Sequence, residues 1–159
     1  MEPPGGEHNA VQTLTRGSNG GIINVSEQGT AVFVVHYIGK ISFEIYRCVS
    51  QDIVTDEVII TDERIRHIKD RHPNDFERYC GYMREIVEHP DYIIEANKPN
   101  SALILKDFSS GEECFKTVLR LVTPNDDPAI KNSIITFMKI DEKEWNRLIK
   151  NKKMLYKRE

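Results

Sequence analysis

The chain has no run of 18 apolar residues, and its first residues, Met1-Glu2-Pro3-Pro4-Gly5-Gly6, show neither a basic region nor an apolar stretch. No membrane span or export signal is therefore expected, and the expected compartment is the cytoplasm. Cysteine is scarce: Cys48, Cys80 and Cys114 are odd in number, far apart and never in a C-x-x-C pair. That excludes a disulfide framework and a thiolate zinc site, and leaves buried, reduced thiols as the expectation. A large charge excess is missing too. With 22 Lys and Arg against 25 Asp and Glu the net charge is −3, which argues against a protein that coats nucleic acid indiscriminately and leaves room for a local basic site.

What charge there is lies unevenly. Residues 1–60 carry seven acids against three bases, while from Lys139 onward eight Lys and Arg face four acids; this tail is either a phosphate-facing patch or a solubilising helix face. At 159 residues the chain suits one domain with a core that needs neither disulfide nor metal. Residues 1–29, rich in Gly, Pro, Ser, Asn and Gln, bury too little to offset their ordering entropy and are expected to be a flexible leader, so the folded domain is expected at 30–159.

Past the leader, Ala31–Ile38 is β-branched and aromatic, and Gly39-Lys40 separates it from Ile41–Tyr46, whose alternation reads as a strand or a short helix. A hairpin is the expectation. His36 lies within the first of these runs, as a core or edge residue. Residues 74–89 place Phe76, Tyr79, Cys80, Met83, Ile86 and Val87 at helical spacing, with Asn74 or Asp75 as cap and a stop before Pro90. The period then changes to two. Tyr92–Ala96, Ala102–Phe108, Cys114–Val122 and Ser133–Met138, separated by Asn97-Lys98-Pro99-Asn100, Ser109-Ser110-Gly111 and Pro124–Pro128, read as a four-stranded antiparallel meander. A last helix begins at an Asp141 N-cap paired with Glu144 and buries Trp145, Leu148 and Ile149. The fold class is α+β: an N-terminal hairpin and two helices packed on a four-stranded antiparallel sheet, then a C-terminal helix.

The densest chemistry lies in Thr61-Asp62-Glu63-Arg64-Ile65-Arg66-His67-Ile68-Lys69-Asp70-Arg71-His72-Pro73, with two imidazoles and four cations. Histidine is the side chain whose ordinary pKa lies near neutrality, so two of them beside Arg71 fit proton transfer next to an anion. Thr61 is the expected N-cap, and Pro73 ends the helix at His72. At roughly 100° per residue, Ile65, Ile68 and His72 share one side, and Arg64, His67 and Arg71 another. The i, i+5 spacing of the histidines, with no accompanying carboxylates, argues against a metal, and no cofactor is expected. In the sheet, Lys106 alternates with Ala102, Ile104 and Phe108, and Lys116 and Arg120 share the other side of their own strand from Phe115 and Leu119. A cation in so apolar a strand as Val118–Val122 either pairs with an acid or faces an anion.

The ordered set Val58–Arg64, His67-Ile68, Arg71-His72-Pro73, His89-Pro90-Asp91-Tyr92, Leu105-Lys106, Leu119-Arg120-Leu121 and Asn132–Thr136 resembles the phage-Barnase-EndoU-Colicin-RelE-like (BECR-type) nucleases of phage and mobile-element proteins. The resemblance runs from about Ile38 to Glu159. It implies a fold with N-terminal helices on a four-stranded sheet, and metal-independent RNA cleavage in which the ribose 2′-OH attacks the adjacent phosphate to leave a 2′,3′-cyclic end. Carried onto matching positions, it implies His67, His72, Lys106 and Thr136 as catalytic residues and Arg64, Arg71, Arg120 and Ser133 as substrate-binding ones, with Lys106 and Arg120 clamping one phosphate. RNA is the implied partner. A noncatalytic RNA- or partner-binding module, or a toxin domain with a protein inhibitor, are the other classes that fit.

Overall fold

The computed structural model describes residues 15–16, 21–25, 32–109 and 112–159. In chain order its elements are β1 (Thr15–Arg16), β2 (Gly21–Val25), β3 (Val32–Lys40), α1 (Phe43–Tyr46), β4 (Glu57–Thr61), α2 (Asp62–Arg71), α3 (Asp75–Tyr79), a 3₁₀ turn at Cys80–Tyr82, α4 (Met83–Glu88), β5 (Tyr92–Glu95), β6 (Ser101–Asp107), β7 (Cys114–Arg120), β8 (Asn132–Ile140), α5 (Glu142–Asn151) and β9 (Met154–Lys157). The strands form one sheet in the order β1-β2-β3-β4-β8-β7-β6-β5-β9. The four strands of the expected meander are consecutive within it, so the α+β class holds. The expected four-stranded size does not: seven strands lie from Val32 onward alone.

Among the described residues every pairing is antiparallel except one. β4 runs parallel to β8 over Val58↔Asn132 and Ile59↔Ser133, a seam between residues far apart in sequence. Asn132, fully buried, fastens it: its Oδ1 accepts from the Val122 N–H at 2.8 Å and its Nδ2 donates to the Thr55 carbonyl at 2.7 Å.

Alternation sorts the sheet side chains onto two faces. One carries Val58, Ile60, Ala102, Ile104, Phe115, Leu119, Ile134 and Phe137, which pack with Tyr46, Ile68, Met83, Ile86 and Val87 of the helices α1, α2 and α4. We call it the helix face. The other carries Ile94, Leu103, Leu105, Cys114 and Ile140 against Leu148 of α5, with Val118, Met138, Trp145 and Ile149 at its margin; we call it the α5 face. Trp145 and Ile149 are only half buried, so of the three residues expected to anchor α5, Leu148 alone is buried.

The expected hairpin between Ala31–Ile38 and Ile41–Tyr46 does not form. β3 pairs instead with β2 and β4, and Ile41–Tyr46 supplies a helical turn. Ser42 caps it by accepting from the Ile45 N–H at 3.4 Å, and the inward residues are Ile41, Ile45 and Tyr46, a helical spacing, while Phe43 is exposed. Tyr46 locks the turn to α4 by donating its hydroxyl to the Val87 carbonyl at 2.7 Å.

The helix expected at 74–89 is broken by the 3₁₀ turn, with Gly81 inside it. Glycine is the weakest helix former after proline, so the break falls where continuation is least favoured. Asn74 takes the left-handed conformation (φ 75°) and its side chain makes no cap. The expected buried thiols are also corrected: Cys114 is buried, but Cys48 and Cys80 are exposed. Within the expected leader, Thr15–Arg16 and Gly21–Val25 are strands. The rest of that span, and Ser110-Gly111 of an expected turn, lie outside the described residues.

Candidate nucleic-acid interface

The helix α2 carries the first part of the site. Thr61 caps it as expected, its Oγ1 accepting from the Arg64 N–H at 3.1 Å. Ile68 is fully buried and Ile65 packs beside it, which fixes the rotation of the helix. Arg64, His67 and Arg71 therefore form a row on a flank that turns away from the core. Among the described residues, no ion pair or side-chain hydrogen bond holds any of the three, whereas Arg66 meets Asp62 at 3.8 Å and Lys69 meets Glu77 at 3.4 Å. His72 ends the helix as its C-cap, half buried, with its N–H on the Ile68 carbonyl at 2.8 Å.

The second part lies on β8. Its ladder with β7 pairs Ser133↔Arg120, Ile134↔Leu119, Thr136↔Val118, Phe137↔Thr117 and Met138↔Lys116, with an irregularity at Val118/Leu119 that leaves Ile135 as an extra residue. In an unbroken strand, Ser133 and Thr136 would point to opposite faces. The bulge reverses the phase, so Ser133, Thr136 and Met138 all join the α5 face with Arg120, Val118 and Lys116. All six are half exposed. β4 pairs with β8 only as far as Ser133; α2 packs against β8 as well, but through Ile68 on the helix face, whereas Ser133 and Thr136 lie on the α5 face.

Lys106 and Arg120 do not share a phosphate site. Lys106 is paired with Phe115 and lies on the helix face; Arg120 is on the α5 face. Lys106 is buried, with 6% of its surface exposed, and its ammonium donates to the His89 carbonyl at 2.6 Å and to Asp91 Oδ1 at 3.4 Å, with Glu85 at 3.8 Å. The same Asp91 carboxylate accepts from the Asp107 N–H at 2.9 Å and from Arg158 Nε at 2.8 Å. A cation so enclosed has no room for a substrate phosphate. Arg120 donates to Asp126 Oδ1 at 2.7 Å and to the Leu121 carbonyl, the acid pairing that its apolar strand left open. Asp126 is held below the ordinary carboxylate range, first by the Thr123 backbone N–H and then by Arg120.

Two arrangements were not legible beforehand. His36 on β3 meets Asp62 at 3.0 Å (Nε2 to Oδ1), a positioned imidazole–carboxylate pair. Asp62 lies roughly 140–180° around α2 from His67 and Arg71 by helical geometry, so the pair and the cationic row occupy opposite flanks. The signal is the β3–β4 register His36↔Ile60, which brings His36 to the start of α2; composition carries no trace of it. Asn132, the buried fastener of the seam, is the other. No three His, Cys, Asp or Glu residues cluster as metal ligands among the described residues.

A row of Arg, His and Arg free to meet solvent can hold a phosphodiester by charge-assisted hydrogen bonds and offers it an imidazole for proton transfer. In comparisons with curated proteins and with solved structures, nothing matches the chain. The family model described as phage-Barnase-EndoU-ColicinE5/D-RelE like nuclease 2 matches residues 34–157, which runs from within β3 to the end of β9 and leaves out β1 and β2. The chain belongs to this family of phage-derived BECR-type nucleases.

Proposed function

We propose that this nuclease is a metal-independent endoribonuclease: the ribose 2′-OH attacks the adjacent phosphorus, the bond to the 5′-oxygen breaks, and the products are a 2′,3′-cyclic phosphate and a 5′-hydroxyl. The observation that carries this reading is the Arg64–His67–Arg71 row, unpaired among the described residues on a helix packed against β8. The reaction needs a proton acceptor at the 2′-OH, a donor at the leaving oxygen and cations on the phosphorane. His67 carries one of the two protons and His72, at the end of the same helix, is our choice for the other. Arg64 and Arg71 hold the phosphate, and the strand meets Ser133 and Thr136 by crossing to the α5 face at the edge of β8 that β4 leaves unpaired beyond Ser133. Lys106 drops out of the catalytic set for the reasons of burial given above, and that loss is what favours the second reading, a module that binds RNA without cutting it.

The test incubates the purified chain with single-stranded RNA in EDTA and maps the ends formed. We expect cyclic phosphates and 5′-hydroxyls, no cleavage where the ribose at the cut site is replaced by deoxyribose, and a loss of about 100-fold or more for His67→Ala with an unchanged circular dichroism spectrum. Cleavage that EDTA abolishes and magnesium restores, or equal cutting at deoxyribose, overturns the mechanism. RNA binding with no cleavage by the wild type supports the second reading.

A further inference from the structure

A groove of about 400 Å³ opens where α5 leaves the β7–β8 ladder, and Lys116, Met138, Ile140, Lys143, Glu144 and Arg147 are among its lining residues. We infer that this groove is a subsite for the sugar-phosphate backbone of a single-stranded RNA, beyond the bond that is cut; the inference rests on the reading of the chain as a ribonuclease. Its cations are not consumed by its acids. Glu144 alone serves both Lys116, at 3.4 Å, and Arg147, which it binds through two hydrogen bonds of 2.8 and 2.7 Å. The Asp141 carboxylate is engaged in capping α5, accepting from the Glu144 N–H at 2.9 Å. Lys143 is exposed and has no partner among the described residues. It also sits in the first turn of α5, where the helix dipole disfavours a cation, so helix stability does not explain it. Lys143, Arg147 and Lys150 follow at i, i+4 and i+7, a single solvent-facing stripe that takes three of the eight bases of the C-terminal segment.

The groove continues the α5-face row of Ser133 and Thr136. Lys116↔Met138 is the next rung of the α5 face after Val118↔Thr136, roughly 7 Å further along the strands. A strand seated at Thr136 reaches it within a few nucleotides. Beneath the cations the floor is apolar, formed by Met138 and Ile140. A nucleotide, with an anionic edge and flat apolar faces, covers both surfaces; an acidic peptide matches only the charges.

The probe is a short oligoribonucleotide with every 2′-OH methylated, which binds but lacks the nucleophile, followed by fluorescence anisotropy over a range of salt concentrations. For the Lys143→Gln/Arg147→Gln variant we expect affinity about 10-fold weaker and a slope of log K against log salt smaller by about 1.4, the loss of two single-strand phosphate contacts. Turnover of a dinucleotide, too short to reach the groove, stays at the wild-type value. Lys143→Gln alone removes no observed contact and is expected to show about half of the slope change. Wild-type affinity and slope in both variants overturn the subsite and leave the ribonuclease reading standing. Failure of the wild type to bind the probe overturns both. Equal competition by polyglutamate, lost in the same variants, replaces RNA with an acidic protein surface and overturns the inference as stated.

Discussion

Lys106 shows how little of a residue's setting is visible when its strand is read without its neighbours. Within Leu103–Phe108 it is a cation among apolar residues, and the family resemblance makes it a phosphate clamp. Its acid, Asp91, lies just ahead of β5, and only the β5–β6 register, Tyr92↔Leu105, brings the two together. His67 was legible by contrast, because its position depends only on helical periodicity and on Ile65 and Ile68 facing inward. Lys106→Met should therefore act on stability. It leaves Asp91 and the His89 carbonyl without their ammonium, and breaking a buried pair from one side costs about 3 kcal/mol; Arg158 and the Asp107 N–H, still on Asp91, hold the loss near that lower bound. Urea unfolding measures it. Turnover per folded molecule should stay near wild type, and a collapse of turnover at wild-type stability would return Lys106 to the catalytic set.

At the scale of elements, what was legible was local. The caps at Thr61 and Asp141 each need only residues three apart, and both are present. The four meander strands follow from period two and turn chemistry. The turn α1 was ambiguous because Ile41, Phe43 and Ile45 also fit a strand, and tertiary burial of Tyr46 decides between them. The bulge at Ile135 leaves no mark in the sequence, yet it alone puts Ser133 and Thr136 on one face. The β7–β8 connection is held in a similar way: Asp126 accepts from the Thr123 N–H at 2.8 Å and from Arg120. Since its carboxyl titrates below the ordinary value of 3.8 in the folded chain, its contribution to stability is complete above that value and disappears as pH falls through the depressed one. Asp126→Asn should thus lower the melting temperature by a constant amount from neutral pH down to about 4, with the gap closing in stronger acid. A gap that widens on acidification would refute the assignment.

For the molecule as a whole, the long-range joins decide the architecture, and periodicity is blind to them. The seam of β4 on β8 links Val58 to Asn132, and β9 returns the chain end to the sheet edge. That edge matters because β5 carries Ile93 and Ile94, both fully buried. β9 covers it through Tyr92↔Lys157, Ile93↔Tyr156 and Ile94↔Met154, and Arg158 finishes the closure, its N–H on the Asp91 carbonyl and its Nε on the Asp91 carboxylate, both at 2.8 Å. An exposed apolar edge with unpaired backbone groups is a template for another chain. Removing residues 153–159 should leave the β3–β4, β4–β8, β8–β7, β7–β6 and β6–β5 ladders intact, since β9 pairs with β5 alone at the sheet edge, while opening that edge and loosening the Asp91–Lys106 knot. We expect a β-rich circular dichroism spectrum together with concentration-dependent association in sedimentation velocity, whereas Lys157→Glu, which keeps the strand, should sediment as the full chain does. A truncated chain that matches the full chain in both sedimentation and melting temperature would show that β9 does not guard the edge.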